Sequence, residues 1–562
     1  MFDNTLPPTT AGIFPECFAK NSPFTPNGVA IVCFLACIVI FGLGLRVWNL
    51  GAESLSEDEL NKLQTVQEYR ADGLSGRNGE HPFLMKGMQT MSVIGSEKLN
   101  GWLPELQISG EAALRFPTAL FGAFSALLLY FLVNELFGSF IGLISAMLYA
   151  VDPNAIGFDR IAKEDSFLLF FFLLANVFWM RSQSVAETGK GNPVIYYFAA
   201  AAAFGAMVAS KYLPHLIGIS AAYYNIFQTI PATKWRLGKL RWLAFFGVMA
   251  VAFIICNPTL LVPETWRQMI QFLTEKRIGH DAYEFMGHLY PNQMTKWLSG
   301  VPWTFYFVFI FVKTPLVTLI LFLIGLPLAF NKKLGDGRYF LFFWMLFWFL
   351  PFAVLGGKFT RYYTVAQPVI FIVAAVGFVY ITEWLKSIKY SPAAIPILIL
   401  GLLIWIGSLS LAASPHFRLF TNSTGIAYMG KGSFFPHDEF YDMSTRDAAV
   451  KIAALAQPGA SIASETPYVF QHYVEMAGRS DIAFVSLSDK NALANLKAGD
   501  FIPIAEGRRY FSNDEVTQYL KKSAVPVAEI KAGGVISVRI YQIDEDISQE
   551  IRSINNGPFS SK

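Results

Sequence analysis

Eleven apolar runs dominate the first three quarters of this chain, near residues 28–48, 112–134, 138–152, 166–181, 194–210, 212–230, 241–262, 301–330, 338–356, 362–384 and 392–413. Most approach the about 20 residues that a helix needs to cross a bilayer, and each is read as a membrane span, the third being short. The pattern changes near residue 414. Apolar runs shrink to strand length in SIASET, DIAFVSL, DFIPIAE, VPVAEI and GVISVRIYQI, with helical patterns such as RDAAVKIAALA and NDEVTQYLKKS between them. Alternating short strands and helices predict a small α/β domain. The expected fold class is a polytopic α-helical membrane protein of about 11 transmembrane helices with a small C-terminal α/β domain. Its parts are an N-terminal segment 1–27, a membrane domain 28–413 and the α/β domain 414–562.

Composition agrees with that pattern. The 562 residues are 54% hydrophobic and 15% charged, against about a quarter charged in soluble proteins. A net charge of +3 points to no nucleic-acid partner. Of Cys17, Cys33, Cys37 and Cys256, three fall in expected spans, so neither a disulfide framework nor a metal knuckle is expected. Residues 1–27 lack a basic n-region and the first run is too long for a signal sequence, so it reads as a retained span.

Lys and Arg in short loops set the orientation. Loop 231–241 carries Lys234, Arg236, Lys239 and Arg241; loop 331–338 carries Lys332, Lys333 and Arg338; loop 385–391 carries Lys386 and Lys389. With eleven spans these three share one side, the cytoplasm, and the amino terminus lies there too. Loop 49–111, loop 257–300 and the whole segment from 414 then lie on the opposite, extracytoplasmic face.

The densest acidic cluster, Glu57-Asp58-Glu59 in SLSEDELNKL, falls on that opposite face beside the first span. Taken alone, Ser56 followed three residues later by Glu59 is a capping box, and acidic residues suit a first helical turn. The remaining polar residues change the weighing, because charges in or beside spans are costly and mark function. Glu80, His81 and Lys86 follow in GEHPFLMK, and Arg115 opens the second span. Asp152, Asp159, Arg160, Lys163, Glu164 and Asp165 crowd the loop after the third span; Lys211 follows the fifth, and Lys358, Arg361 and Tyr362 precede the tenth. All face the same side as Asp58. Cations that hold a phosphate and a carboxylate that takes a proton from an acceptor suit a reaction on a phosphate-bearing lipid.

In order and spacing these motifs resemble those of the GT-C class of integral membrane glycosyltransferases, specifically the protein O-mannosyltransferase family (glycosyltransferase family 39) and its bacterial relatives. The family's Asp-Glu pair is matched by Asp58-Glu59. Its His-Pro-Pro-Leu-Gly-Lys stretch is matched by His81-Pro82-Phe83-Leu84-Met85-Lys86, with Phe83 and Met85 departing from it. Arg115-Phe116-Pro117 matches an Arg-x-Pro at the second span, and Asp159-Arg160 through Asp165-Ser166 matches a Ser-Arg-x-x-x-x-Asp-Ser, with Asp159 in place of serine. Lys211 matches a lysine after the fifth span. Lys313-Thr314-Pro315-Leu316, Arg361-Tyr362 and Pro415-His416-Phe417 leading to Asn422 look more like the bacterial branch, which includes the lipid A aminoarabinose transferases.

The resemblance implies transfer of a sugar, mannose by family default, from a polyprenyl or dolichyl phosphate carrier to a hydroxyl of a protein, glycan or lipid, with inversion. It implies Asp58 as general base with Glu59 in support, Arg160, Lys211, Arg361, His81 and Lys86 toward the lipid phosphate, and Glu80, Arg115, Asp165 and Tyr362 around them. Blander roles stand beside these. Arg361, Lys358 and Lys211 suit interfacial anchors, Arg160 an i,i+4 pair with Glu164, and Asp165 the N-cap of the fourth span. His280 and His288 read as loop residues, and KTPL as a packing or kink feature. No residues have compact metal-ligand spacing, so no metal site is expected; whether a divalent cation is needed is left open. A bacterial lipid A or polysaccharide glycosyltransferase is the alternative, since 263–300 is too short for the inserted lumenal domain of the eukaryotic enzymes. A bacterial inner membrane is the expected location. A transporter would place charges at mid-span, often in two related halves, and neither is seen.

Overall fold

The structure is a computed structural model that describes residues 28–223, 239–275, 280–294, 296–387 and 394–556. Residues 1–27 and the basic positions 234, 236 and 389 lie outside the described residues. The first apolar run forms α1 (Gly28–Val47), after which the polar loop folds into α2 (Glu57–Asp72) and α3 (Phe83–Trp102). Next come α4 (Gly110–Phe137), α5 (Ser139–Val151), α6 (Pro153–Asp159), α7 (Asp165–Thr188), α8 (Pro193–Val208), α9 (Ile217–Tyr223), α10 (Lys239–Cys256) and α11 (Pro263–Glu275). A hairpin of β1 (Ala282–Phe285) and β2 (His288–Pro291) precedes α12 (Phe305–Lys313), α13 (Leu316–Ala329), α14 (Gly337–Val354), α15 (Gln367–Ser387) and α16 (Ala394–Ala413).

Among the described residues six helices, α1, α4, α7, α14, α15 and α16, are long and apolar enough to cross a membrane. The expected third span is a bent pair, α5 and α6, turning by 63°, which would make a seventh; α8, α10 and α13 are apolar but shorter. Pro153 starts α6, and its missing N–H and fixed φ favour a break there. The run 301–330 is likewise two helices, parted at Thr314-Pro315. Of the run 212–230, residues 224–230 lie outside the described set.

The helices pack as α4 on α5 and α7, α7 on α8, α8 on α10, and α15 on both α5 and α13. Where α13 crosses α15, Gly325 and Gly377 let the backbones meet. A Cβ on either would strike a carbonyl oxygen of the other helix, of Val373 or of Leu321, the small-residue contact that lets membrane helices approach closely.

After α16 the five strand-length runs form one sheet in the order β4-β3-β5-β7-β6. β3 (Ser461–Ser464) runs parallel to β4 (Ala483–Ser486) and to β5 (Phe501–Ala505), while β7 (Val535–Gln542) is antiparallel to β5 and to β6 (Ala528–Ala532). One face of the sheet is covered by helices Thr445–Leu455 and Pro467–Met476. Its core, with Ile452, Phe470, Ile462 and Val538, continues into Leu55, Leu60 and Val66 of the first loop and Leu114 of α4. The last segment is therefore seated on the first polar loop, and the joint between them forms one wall of the cavity described next.

Candidate active site

Ser56 caps α2: its Oγ accepts from Glu59 N–H at 3.4 Å, and Glu59 Oε2 accepts from Ser56 N–H at 2.9 Å. The capping box is therefore present. Glu59 does more than cap. Its carboxylate is fully buried, takes two 2.7 Å bonds from Arg115 of α4 and accepts from Ala162 N–H at 2.8 Å. One residue earlier along a helix is about 100° around it, so Asp58 points elsewhere, with 39% of its side chain exposed. It lines a polar cavity of about 770 Å³ together with Glu80, His81, Lys211, Arg361 and Tyr362.

Two cations and a phenol converge on one oxygen of Asp58. Lys163 Nζ pairs with Oδ2, Tyr441 Oη donates to it at 2.8 Å, and Arg361 Nη2 lies 3.9 Å away. Among the described residues no donor reaches Oδ1. Burial pushes the Asp58 pKa up, but the charges of Lys163, Arg361 and Lys62 outweigh it and hold the group well below the usual carboxylate range. Asp58 is thus an ionised carboxylate with one oxygen restrained and the other open to the cavity.

Beside it, Glu164 Oε1 forms an ion pair with Lys62 Nζ at 3.1 Å and faces His81 Nδ1 at 3.3 Å. Burial drives the His81 pKa down to about 3 despite the Glu164 charge, so this ring is neutral at physiological pH. Glu80 holds Asn78 Nδ2 at 2.6 Å.

The cavity's cations come from two further loops. Lys211, after α8, bonds Asp165 Oδ1 at 2.6 Å and lies 4.8 Å from the centre of the Tyr362 ring. Burial opposes its charge, but Asp165 more than compensates and its pKa is raised. Arg361 sits in the short helix Thr360–Val365, stacked 4.3 Å over Phe359 and 3.8 Å from Asp438. Its Nη1 is buried and makes no hydrogen bond. An unsatisfied buried guanidinium N–H is costly, and this one belongs to a residue lining a cavity that could admit an anion.

The remaining sequence-derived candidates lie off the cavity. Arg160 donates to the carbonyls of Arg46, Trp48 and Asn49, closing the end of α1. It makes no pair with Glu164, and Asp165 is a first-turn partner of Lys211, the N-cap of α7 being Glu164. Lys86 is buried and donates to Asn78 O at 2.7 Å, bracing the loop that carries Glu80 and His81; burial lowers its pKa to about 7. Asp159, where the resembled motif has serine, pairs with buried Arg46 at 2.9 Å and accepts from Ser166 at 2.6 Å.

Sequence reasoning counted Lys163 in the charged array without giving it a role and left His280, His437, Tyr441 and Arg508 out of the site; all five line the cavity. His280, read as a loop residue, contacts Glu57 Oε2 at 3.2 Å and stacks on Tyr510 at 4.1 Å. Lys163 sits in the run DRIAKED, whose charge density was a usable signal. The others come from far along the chain, where sequence separation hides the contact. Among the described residues no group of three His, Cys, Asp or Glu side chains converges as metal ligands would. A second cavity, about 1,220 Å³ and lined almost wholly by apolar side chains, most of them from α12 to α15, shares no lining residue with the first.

Residues 104–261 match the family model described as dolichyl-phosphate-mannose-protein mannosyltransferase. No curated protein sequence matches this chain significantly. Among solved structures, ArnT from Cupriavidus metallidurans in the apo state is similar over 91% of this chain and 97% of its own, at 13% identity and a TM-score of 0.50. The same protein bound to undecaprenyl phosphate matches over 92% and 98%, at 13% identity and a TM-score of 0.47. The oligosaccharyltransferase AglB from Archaeoglobus fulgidus, in complex with an inhibitory peptide and a dolichol-phosphate, matches over 85% and 69%, at 10% identity and 0.49. The resemblance read from the motifs thus extends to the architecture: this chain has the fold of the GT-C glycosyltransferases.

Proposed function

We propose that this chain is a membrane glycosyltransferase that moves a sugar, mannose in the first instance, from a polyprenyl phosphate carrier to an acceptor hydroxyl, with inversion. The observation that carries the reading is the divided Asp58 carboxylate, Oδ2 held by Lys163 and Tyr441 with the Arg361 charge nearby, and Oδ1 open to a cavity that is also lined by Lys211. The family-model match over 104–261 supports the donor class. An acceptor hydroxyl that hydrogen-bonds Asp58 Oδ1 attacks the anomeric carbon. The new C–O bond forms as the bond to the phosphate oxygen breaks, the electron pair leaves with the phosphate, and the proton passes to Asp58. Arg361 and Lys211 stabilise the charge growing on the phosphate. Asp58 is a weak base at its depressed pKa, so its contribution is a proton transfer concerted with attack, which depends on placement. Glu59, Arg115, Arg160 and Lys86 position the loops around it. His81, neutral, and Glu80 line the wall beside the phosphate.

The cavity and the sheet belong to the extracytoplasmic side in this reading. The loop bearing Lys332, Lys333 and Arg338 supports it, because Gly337 packs on Leu136 at the end of α4 away from Arg115. α4 has 28 residues, which at about 1.5 Å per residue puts roughly 40 Å between the two ends. The acceptor is left as a class, a hydroxyl of protein, glycan or lipid; a bacterial lipid A or polysaccharide acceptor would use the same chemistry.

The test is consumption of radiolabelled polyprenyl phosphate-mannose by the purified chain in detergent, with an aminoarabinose carrier in parallel, comparing wild type with Asp58→Asn. Wild type is expected to consume one carrier and the folded variant to be slower by about a hundredfold or more. Equal rates would remove Asp58 from the role of base, and a wild type that consumes neither carrier would sink the donor reading.

A further inference from the structure

Two consecutive residues between helices Pro436–Phe440 and Thr445–Leu455, Tyr441 and Asp442, are left-handed, with φ of 45° and 61°. Left-handed backbone is uncommon outside glycine and exceptional for a bulky residue. Strain of this kind persists only where surrounding contacts over-determine it, and it gathers at functional sites. Both side chains are buried and both turn toward the start of α2. Tyr441 Oη donates to Asp58 Oδ2 at 2.8 Å. Asp442 Oδ2 accepts from Glu57 N–H at 3.2 Å, a second cap on α2 supplied from 385 residues away. The backbone joins in: Ser54 Oγ donates to Asp442 O at 2.5 Å, and Ser54 N–H to Met443 O at 3.1 Å. Asp442 is itself fixed by Arg508, whose Nε donates to Oδ1 at 2.7 Å and whose Nη2 donates to Oδ2. Arg508 Nη1 reaches Glu57 Oε2 at 3.1 Å. The Tyr441 ring is packed as well, with the guanidinium groups of Arg418 and Arg361 5.1 and 5.8 Å from its centre.

We infer that the Tyr441–Asp442 turn is a positioning clamp for the reaction: Tyr441 sets the rotamer of the Asp58 carboxylate so that Oδ1 faces the acceptor, and Asp442 fixes the helix start that carries it. The inference rests on the reading of Asp58 as base. It makes the segment after the membrane helices part of the catalytic machinery, since the carboxylate is aimed by a hydroxyl from that segment. Burial keeps the Tyr441 phenol protonated, its pKa far above the usual value, so it remains a donor across the working pH range.

The experiment compares wild type, Asp58→Asn, Tyr441→Phe and Tyr441→Gly in the carrier-consumption assay, with melting in detergent measured for each. Phe keeps the ring and the strained backbone and removes only the hydroxyl. Gly relieves the strain and removes the whole side chain. The clamp predicts that Tyr441→Phe lowers kcat about tenfold with KM for the carrier within about twofold and an unchanged melting temperature. Tyr441→Gly should be at least as slow however stable it proves. A Phe variant with wild-type kcat, beside an inactive Asp58→Asn, overturns the clamp and leaves the base assignment standing. A Phe variant whose loss lies in KM or in melting temperature assigns Tyr441 a binding or purely structural part and equally overturns it. If Asp58→Asn is as fast as wild type, the base reading falls and takes the clamp with it.

Discussion

Arg115 grips Glu59 through two 2.7 Å bonds with both side chains buried, whereas the adjacent Asp58 opens onto a cavity. Neighbouring carboxylates therefore answer to different physics. Glu59→Ala leaves a buried guanidinium without its partner and should cost about 3–5 kcal/mol of stability, seen as a lower melting temperature or poor recovery from the membrane. Asp58→Asn removes the counter-charge of buried Lys163, but one face of Asp58 is solvated, so it should cost less stability than Glu59→Ala and should lose turnover. Similar melting of the two variants would contradict this division.

Arg361 and Lys211 hold charge in different ways, and substitutions should separate them. Arg361→Lys keeps the charge but loses the planar stacking on Phe359 and the buried Nη1. A loss of about a hundredfold in kcat/KM is expected, typical of removing one donor aimed at developing charge. Lys211→Arg keeps the pair with Asp165 within reach and should lose less. Steady-state kinetics with the carrier varied reads both, and equal losses would argue that only net charge matters.

Activity should fall on the alkaline side near the Lys163 titration. Burial lowers the Lys163 pKa from 10.5 to about 8, with Asp58 opposing. Above that pH the ammonium is neutral and its hold on Asp58 Oδ2 is lost. Lys163→Arg should carry the alkaline limb to higher pH. Stability has the opposite sign. Between about 8 and 10.5 the unfolded chain binds more protons at this residue, so its contribution to stability rises with pH. Asp58 and Glu164, both held well below the carboxylate range, give no acid limb near pH 5. pH profiles of kcat/KM and of melting temperature, taken together, check the two signs.

Lys313, at the end of α12, pairs with Glu439 and donates to the carbonyls of Arg418 at 3.0 Å and Phe420 at 2.8 Å, all out of contact with water. Lys313→Met leaves the Glu439 charge buried and unpaired, at about 3–5 kcal/mol. Adding Glu439→Gln should restore much of that loss, because Gln can still accept from Phe435 N–H as Glu439 Oε2 does. Melting of the two single variants and the double variant gives the coupling directly, and additive losses would show that the pair is not one unit.

Local pattern determined a good part of this protein. Apolar runs of span length, period and breakers gave helices in the described residues, because hydrophobic matching to a bilayer is a property of a short stretch. Ser56 to Glu59 announced a helix start, and the alternation of short runs after residue 414 became five strands in one sheet. The motif order marked Asp58, His81, Lys211 and Arg361, which the fold gathers around one cavity. Tertiary structure decided what no window could contain. It bent α5 against α6 by 63°, turned Arg160 to the end of α1, and buried Glu59 under Arg115. It brought Tyr441 to Asp58 and Arg508 to Glu57, 383 and 451 residues earlier in the chain, and set His437 in the same cavity wall. A side chain's neighbours across such distances are set by packing of the sheet segment on the first loop, and the strained Tyr441–Asp442 turn has meaning only in that packed state.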